Sequence, residues 1–325
     1  MANHPEPLLE ENDQRWVLFP IKYPDLYKMA KKAEAAIWHA EEIDLEPDVE
    51  QFKRLSDGER HYITVVLAFF AASDGLVLEN CITNFYNEIT WPEIKSFYST
   101  QIFIENVHSE VYSQFIDRLI EDPVEKDKAF HGLQNYQCIQ DKAQWAAQYM
   151  DPKTCSLGKR LIGFACVEGI YFSASFAAIF YMKSKGKLLS LGLANSFIAR
   201  DEGMHTDFAA YLYKNYVTNH LPEEEVHEIV RSAVEIEKAF VSQALSVELI
   251  GMNVQEATQY VEFIADRLLV SLGVRKMFHV SMPLDFMHSI NINTKTNFFE
   301  SRVSQYAKFN VGKKKEQTLT FDADF

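Results

Sequence analysis

Apolar residues recur every three or four positions through most of the chain, the spacing that lays a single apolar stripe along an α-helix. The runs are long. Ser56 and Glu59 form an S-x-x-E capping box, and helical spacing continues from His61 through Ile89. Pro92 suits a first helical turn, so a second helix is expected from there towards Ile120. Pro123 and the Asp151-Pro152 pair bracket a third, more polar helix. Further helices are expected over Ser156 to Lys183, Lys187 to Tyr216, Glu223 to Leu249 and Val254 to Leu272, with Gly251 and Gly273 as C-terminal stops. A helix of thirty residues is about 45 Å long, so these segments predict a large all-α bundle. After about Met287 the pattern changes to asparagines, a Lys313-Lys314-Lys315 run and a closing LTFDADF, which read as a flexible tail.

Composition supports the helical reading. Of 325 residues only 12 are glycine and 10 proline, against 47% hydrophobic, too few turn-formers for an all-β fold. The net charge of -14 argues against nucleic acid or anionic lipid as a partner, because both attract basic patches. MANHPEPLLE lacks the basic start and apolar run of a secretory signal, and a cytoplasmic location is expected. Cys81, Cys138, Cys155 and Cys166 show no CxxC spacing and read as reduced thiols. Leu161 to Met182 is long enough to cross a bilayer and carries one charge, Glu168. No second such span is evident, and a buried central helix is the expectation.

Charged side chains are rarely buried unless paired or bound to metal. Four apolar runs break that rule. Asp74 interrupts VVLAFFAASDGLVL, Glu105 and His108 lie in FYSTQIFIENVHSEVYSQF, Glu168 lies in LIGFACVEGIYF, and Glu202 and His205 lie in NSFIARDEGMHTDFAAYLY. The i, i+3 spacing places Glu105 beside His108, and Glu202 beside His205, on one helix face. Two ExxH helices with single carboxylates from two others make the ligand set of ferritin-like dinuclear centres. Carboxylate and imidazole suit iron or manganese, and two cations would offset the buried negative charge. Glu224 to His227 also matches ExxH, but it follows Pro222 in an acidic first turn, where a solvated helix N-terminus is expected. Tyr112 falls one turn after His108 on the ligand face. It is a packing tyrosine or, beside an oxygen-activating centre, one open to one-electron oxidation.

The motifs SDG at Ser73 to Gly75, ENVHSEVY at Glu105 to Tyr112, VEGIYFSASF at Val167 to Phe176, ARDEGMH at Ala199 to His205 and the terminal FDADF resemble the small, radical-generating subunit of eukaryotic-type class I ribonucleotide reductase. The resemblance runs from about Pro20 to Phe325. It implies an N-terminal arm over 1–19, a ferritin-like di-iron domain over 20–287 and a tail over 288–325. It further implies that Asp74, Glu105 and His108 bind one iron, that Glu168 and His205 bind the other, and that Glu105 and Glu202 bridge them. The implied cofactor is two iron ions per chain, oxo-bridged when oxidised, with manganese as the alternative. Tyr112 would hold a stable radical within an apolar pocket of Phe172, Phe176 and Ile198. Trp38, Asp201 and Tyr306 would transfer it. Leu319 to Phe325 would dock on the large catalytic subunit, and the chain would pair as a homodimer.

From sequence alone Trp38 is a helix-packing aromatic and the pocket residues are ordinary core. Tyr171 stands where relatives often have phenylalanine, free either to hydrogen-bond Glu168 or to pack. The implied activity is ribonucleoside-diphosphate reduction, with this chain inactive alone because it lacks catalytic cysteines and nucleotide-binding loops. An iron-storage or scaffold protein would not need Tyr112 or the tail. A silent partner subunit would have lost ligands, and all six positions are filled. An oxidase with its own substrate remains an alternative.

Overall fold

The computed structural model describes residues 5–12, 15–244 and 247–287. Tyr306 and the tail segment Leu319 to Phe325 lie outside them. Among the described residues the elements are all helical. They are α1 (Pro24–Ala35), α2 (Glu46–Lys53), α3 (Asp57–Asn80), α4 (Pro92–Leu119), α5 (Pro123–Phe130), α6 (Gly132–Asn135), α7 (Gln137–Ala147), α8 (Leu157–Cys166), α9 (Ser173–Ser184), α10 (Leu189–Tyr216), α11 (Glu223–Ala239) and α12 (Val254–Leu272). The bundle is ferritin-like. α3 packs on α4, α10 packs on α8, α9, α12 and α4, and α1 covers α4.

Local chemistry fixes the long helices. At the start of α3 the Ser56 amide donates to Glu59 Oε2 at 2.9 Å and the Glu59 amide to Ser56 Oγ at 3.3 Å, the reciprocal box expected from the sequence. The start of α10 is held by a side chain from α2. The Ser190 and Leu191 amides donate to Asp48 Oδ1 and Oδ2 at 3.1 and 2.7 Å. A fully buried carboxylate is tolerable there because it accepts the unpaired amides of a helix N-terminus.

Several expectations need correction. The polar helix between Pro123 and Asp151 is three short helices, α5 to α7. The chain bends at His131, where φ is -107° and ψ 45°, and Gly132 presses on α3 so closely that a Cβ would lie 2.9 Å from the Ala68 carbonyl oxygen. The helix expected over Ser156 to Lys183 is broken at Val167–Tyr171 by a π-helical turn. The one expected over Glu223 to Leu249 is regular only to Ala239 and passes into another π turn at Phe240–Ala244, and the helix expected through Ile89 likewise turns π-helical at Cys81–Tyr86. Trp38 is not helical. It follows α1, before a 3-10 turn at Ala40–Glu42. A second stretch, Asp57–Tyr86, matches Leu157–Ser184 in being long and apolar enough to cross a membrane. The apolar windows of the two are 61% and 89% buried within the bundle, so both spend their apolar surface on the core.

Candidate di-metal centre and its surroundings

Four helical segments deliver the six candidate ligands to one place. α3 brings Asp74, α4 brings Glu105 and His108, the π turn after α8 brings Glu168, and α10 brings Glu202 and His205. None is more than 2% exposed. Ligand-type atoms of Glu105, Glu168, Glu202 and His205 all lie within 4.8 Å of one another.

Two carboxylates divide their oxygens between the two imidazoles. Glu105 Oε1 is 3.0 Å from His205 Nδ1 and Oε2 is 3.5 Å from His108 Nδ1. Glu202 Oε2 is 3.1 Å from His205 Nδ1 and Oε1 is 3.0 Å from His108 Nδ1. Of the two imidazoles Glu168 contacts only that of His205, at 3.4 Å. Buried Gln101, one turn before Glu105, reaches Glu105 Oε1 and Glu168 Oε1, each at 3.5 Å.

The electrostatics are those of crowded, dry carboxylates. Burial, with Glu105 beside it, pushes Asp74 well above the usual carboxylate range. Burial and the Glu202 and Glu105 charges do the same to Glu168. Glu202 is held low despite its burial, by contacts with Glu168 and the two histidines. Burial pulls both imidazoles down, yet the carboxylates around them, Asp201 first for His108 and Glu202 first for His205, hold them well above the ordinary value.

The donor set fits two cations. Asp74 Oδ2, Glu105 Oε2, His108 Nδ1, Glu168 Oε2 and Glu202 Oε1 are buried without a hydrogen-bond partner. An orphaned buried polar atom is costly, and five in one cavity, all of ligand type, are what metal coordination would satisfy. The near-neutral balance of four carboxylates against two divalent cations removes the repulsion at the same time.

Around the cluster, Trp38 Nε1 donates to Asp201 Oδ2 at 2.7 Å and His108 Nε2 lies 3.2 Å from the same oxygen. Arg200 holds the other oxygen, Asp201 Oδ1, at 3.0 and 2.8 Å, and reaches the Ala36 carbonyl at 2.6 Å. Tyr112 is fully buried and its hydroxyl has no partner. Burial and then the Asp74 charge push its phenol well up. Its ring stacks on Phe70 at 4.5 Å, and Phe70 in turn meets Phe172 at 5.5 Å and Phe176 at 5.1 Å. Ile198 is 1% exposed. Tyr171 does not bond Glu168, because its hydroxyl has no partner and its ring meets Trp145 edge-on at 5.2 Å. His227, by contrast, sits at a surface contact. Its Nε2 is 2.9 Å from the Arg275 carbonyl.

Phe70, Gln101 and Arg200 escaped the sequence reading. Phe70 and Gln101 each lie one turn before a ligand, Asp74 and Glu105, so the helical period that found Tyr112 also points to them.

The family profile for the ribonucleotide reductase small chain matches residues 15–283. The chain belongs to this family. It is 50% identical over 322 residues to the ribonucleoside-diphosphate reductase small chain of Trypanosoma brucei brucei, covering 98% of this chain and 95% of that one. Against the human ribonucleoside-diphosphate reductase subunit M2 it is 48% identical over 322 residues, covering 98% and 82%. Among solved structures, the Rnr4 homodimer from Saccharomyces cerevisiae superposes with a TM-score of 0.80 at 36% identity, covering 89% of this chain and 92% of that one. The chain is thus a small subunit of ribonucleoside-diphosphate reductase, serving the reduction of ribonucleotides to deoxyribonucleotides for DNA synthesis, and its carboxylate and histidine cluster is a di-metal site.

Proposed function

We propose that the six ligands hold two iron ions and that Tyr112 carries the radical this subunit passes to its large partner. The observation that carries the reading is the setting of Tyr112: one turn from His108, fully buried, its hydroxyl unpaired, its ring stacked on Phe70. The division of Glu105 and Glu202 between the two imidazoles supports their bridging roles. Asp74 with His108, and Glu168 with His205, then complete the two ion positions. Carboxylate and imidazole donors favour iron, with manganese the alternative.

When bound, the metal pair supplies the oxidising equivalent from dioxygen. Everything else falls to the chain. Tyr112 gives up one electron and its phenolic proton, and Asp74 is the carboxylate whose charge bears most on that phenol. Phe70, Phe172, Phe176 and Ile198 exclude water and offer no easily oxidised group, which protects an unpaired spin. Coordination through Nδ1 leaves His108 Nε2 to donate to Asp201, as ligand histidines commonly do. The same Asp201 oxygen takes the Trp38 indole N–H, so one atom couples imidazole to indole along the transfer route. Beyond Trp38 the route would continue through Tyr306, and Leu319 to Phe325 would dock on the large subunit. The homodimeric yeast relative supports a homodimer. We place the protein in the cytoplasm, in keeping with its four unpaired cysteines, and assign it no nucleic acid or membrane partner.

The test is to load apoprotein with Fe(II), admit oxygen and record the electron paramagnetic resonance spectrum. A tyrosyl signal in the wild type and none in Tyr112→Phe is expected. A wild type without the signal, or a signal that survives the substitution, overturns the assignment.

A further inference from the structure

The turn that carries Glu168 differs from the helices on either side. Val167–Tyr171 is π-helical, and such a turn interrupts the regular run of i to i+4 bonds. Two groups at its exit are held by side chains. Ser173 Oγ donates to the Ile170 carbonyl at 2.7 Å. Lys142 Nζ, reaching in from α7, donates to the Tyr171 carbonyl at 3.0 Å.

Lys142 and Glu237 are also an ion pair, 2.6 Å apart, with side chains 3% and 0% exposed. The ammonium is further enclosed by the Phe69 and Phe240 rings, at 3.8 and 3.6 Å from their centroids. Burying both charges is expensive, and well-packed apolar residues of similar volume commonly serve stability as well or better. Stability alone does not explain the pair. Glu168, moreover, has less help from its neighbours than the two carboxylates that span the imidazoles. Glu105 and Glu202 each contact both imidazoles, whereas Glu168 contacts one histidine and, at 3.5 Å, Gln101. Its position depends on its backbone.

We propose that Lys142 and Glu237 are positioning residues for the metal centre, splinting the exit of the π turn so that Glu168 is presented to its ion. The inference rests on the reading of Glu168 as a ligand. Lys142 holds the Tyr171 carbonyl and Glu237, on α11, holds the ammonium in place, so the wide turn is fixed where it joins α9.

Anaerobic titration with Mn(II), followed by electron paramagnetic resonance, tests this. Wild type should bind two ions per chain. In Lys142→Met/Glu237→Leu, which replaces the pair by apolar groups, one ion should bind as in wild type and the other about ten- to a hundredfold more weakly, the usual effect of removing an outer support from a metal ligand. Far-ultraviolet circular dichroism should be unchanged, and the spectrum with one ion bound should match that of Glu168→Ala. Two ions bound with wild-type affinity overturn the splint while leaving the di-metal site intact. A wild type that binds fewer than two ions overturns both. If the double variant does not fold, Lys142→Met at pH 6 replaces it, where the remaining carboxyl is protonated. The same weakening is expected there, and wild-type affinity again sinks the proposal.

Discussion

Trp38 and Asp201 are 163 residues apart and meet through one hydrogen bond of 2.7 Å between Nε1 and Oδ2. That oxygen also faces His108 Nε2, so the contact ties a loop after α1 to a ligand on α4 through a carboxylate on α10. Arg200 adds a second tie by gripping Asp201 and the Ala36 carbonyl together. The indole is thereby fixed relative to the metal ligands although no regular element carries it.

Asp201→Asn therefore separates radical formation from radical transfer. The amide retains the size of the carboxylate but not its charge, and if its oxygen stays with Trp38 and His108 its NH2 is turned on the Arg200 guanidinium, so it cannot serve all three donors. The Tyr112 signal should persist, and reductase activity with the large subunit should fall about 10- to 100-fold, the range seen when outer partners of metal ligands are removed. Activity within twofold of wild type would show that the route does not pass through this atom.

The two ExxH matches with different surroundings give a second test. His205 Nδ1 faces three carboxylates in a dry cavity, whereas His227 bonds a surface carbonyl. His205→Ala should lower metal content from two ions per chain to one or fewer, and His227→Ala should leave it at two. Elemental analysis after anaerobic loading decides. A loss of metal in the His227 variant would mean that apolar context does not mark the ligands.

The contrast between those histidines also explains what the sequence could reveal. Asp74, Glu105, His108, Glu168, Glu202 and His205 were legible because charge in an apolar run is costly wherever the chain goes. Trp38 and Asp201 were not legible from pattern, since no period relates residues so far apart, and only family resemblance joined them. The π turn at Val167–Tyr171 was hidden because a single wide turn leaves too few residues to shift a periodicity. Lys142 reads as a solvated lysine in the polar stretch Gln137–Ala147. It is buried because α11, far along the chain, brings Glu237 against it.

Deleting Thr320 to Phe325 tests the docking role given to the tail. The metal ligands and Tyr112 lie within α3 to α10 and owe nothing to these residues. The tyrosyl signal should be unchanged, and activity on addition of the large subunit should be lost. Full activity in the truncated chain removes the tail from the mechanism.

The buried pair also predicts a pH dependence of stability. Burial pushes Glu237 from 4.5 up to about 7, so between those values the folded chain holds a proton that the unfolded chain has released. A group with a raised folded pKa lends stability that is complete below its unfolded pKa and is lost as pH rises through its folded one. For Glu237 the window is pH 4.5 to 7, and the difference between its ends is on the order of 3 kcal/mol. Lys142 is lowered from 10.5 by burial. Comparison with Lys142→Met/Glu237→Leu removes the pair's own two groups from the titration. Denaturant midpoints of the metal-free proteins should show wild type gaining on the double variant as pH falls from 7 to 4.5. A constant difference across that range would place the Glu237 carboxyl at its ordinary pKa and the pair in a wetter setting than its burial indicates.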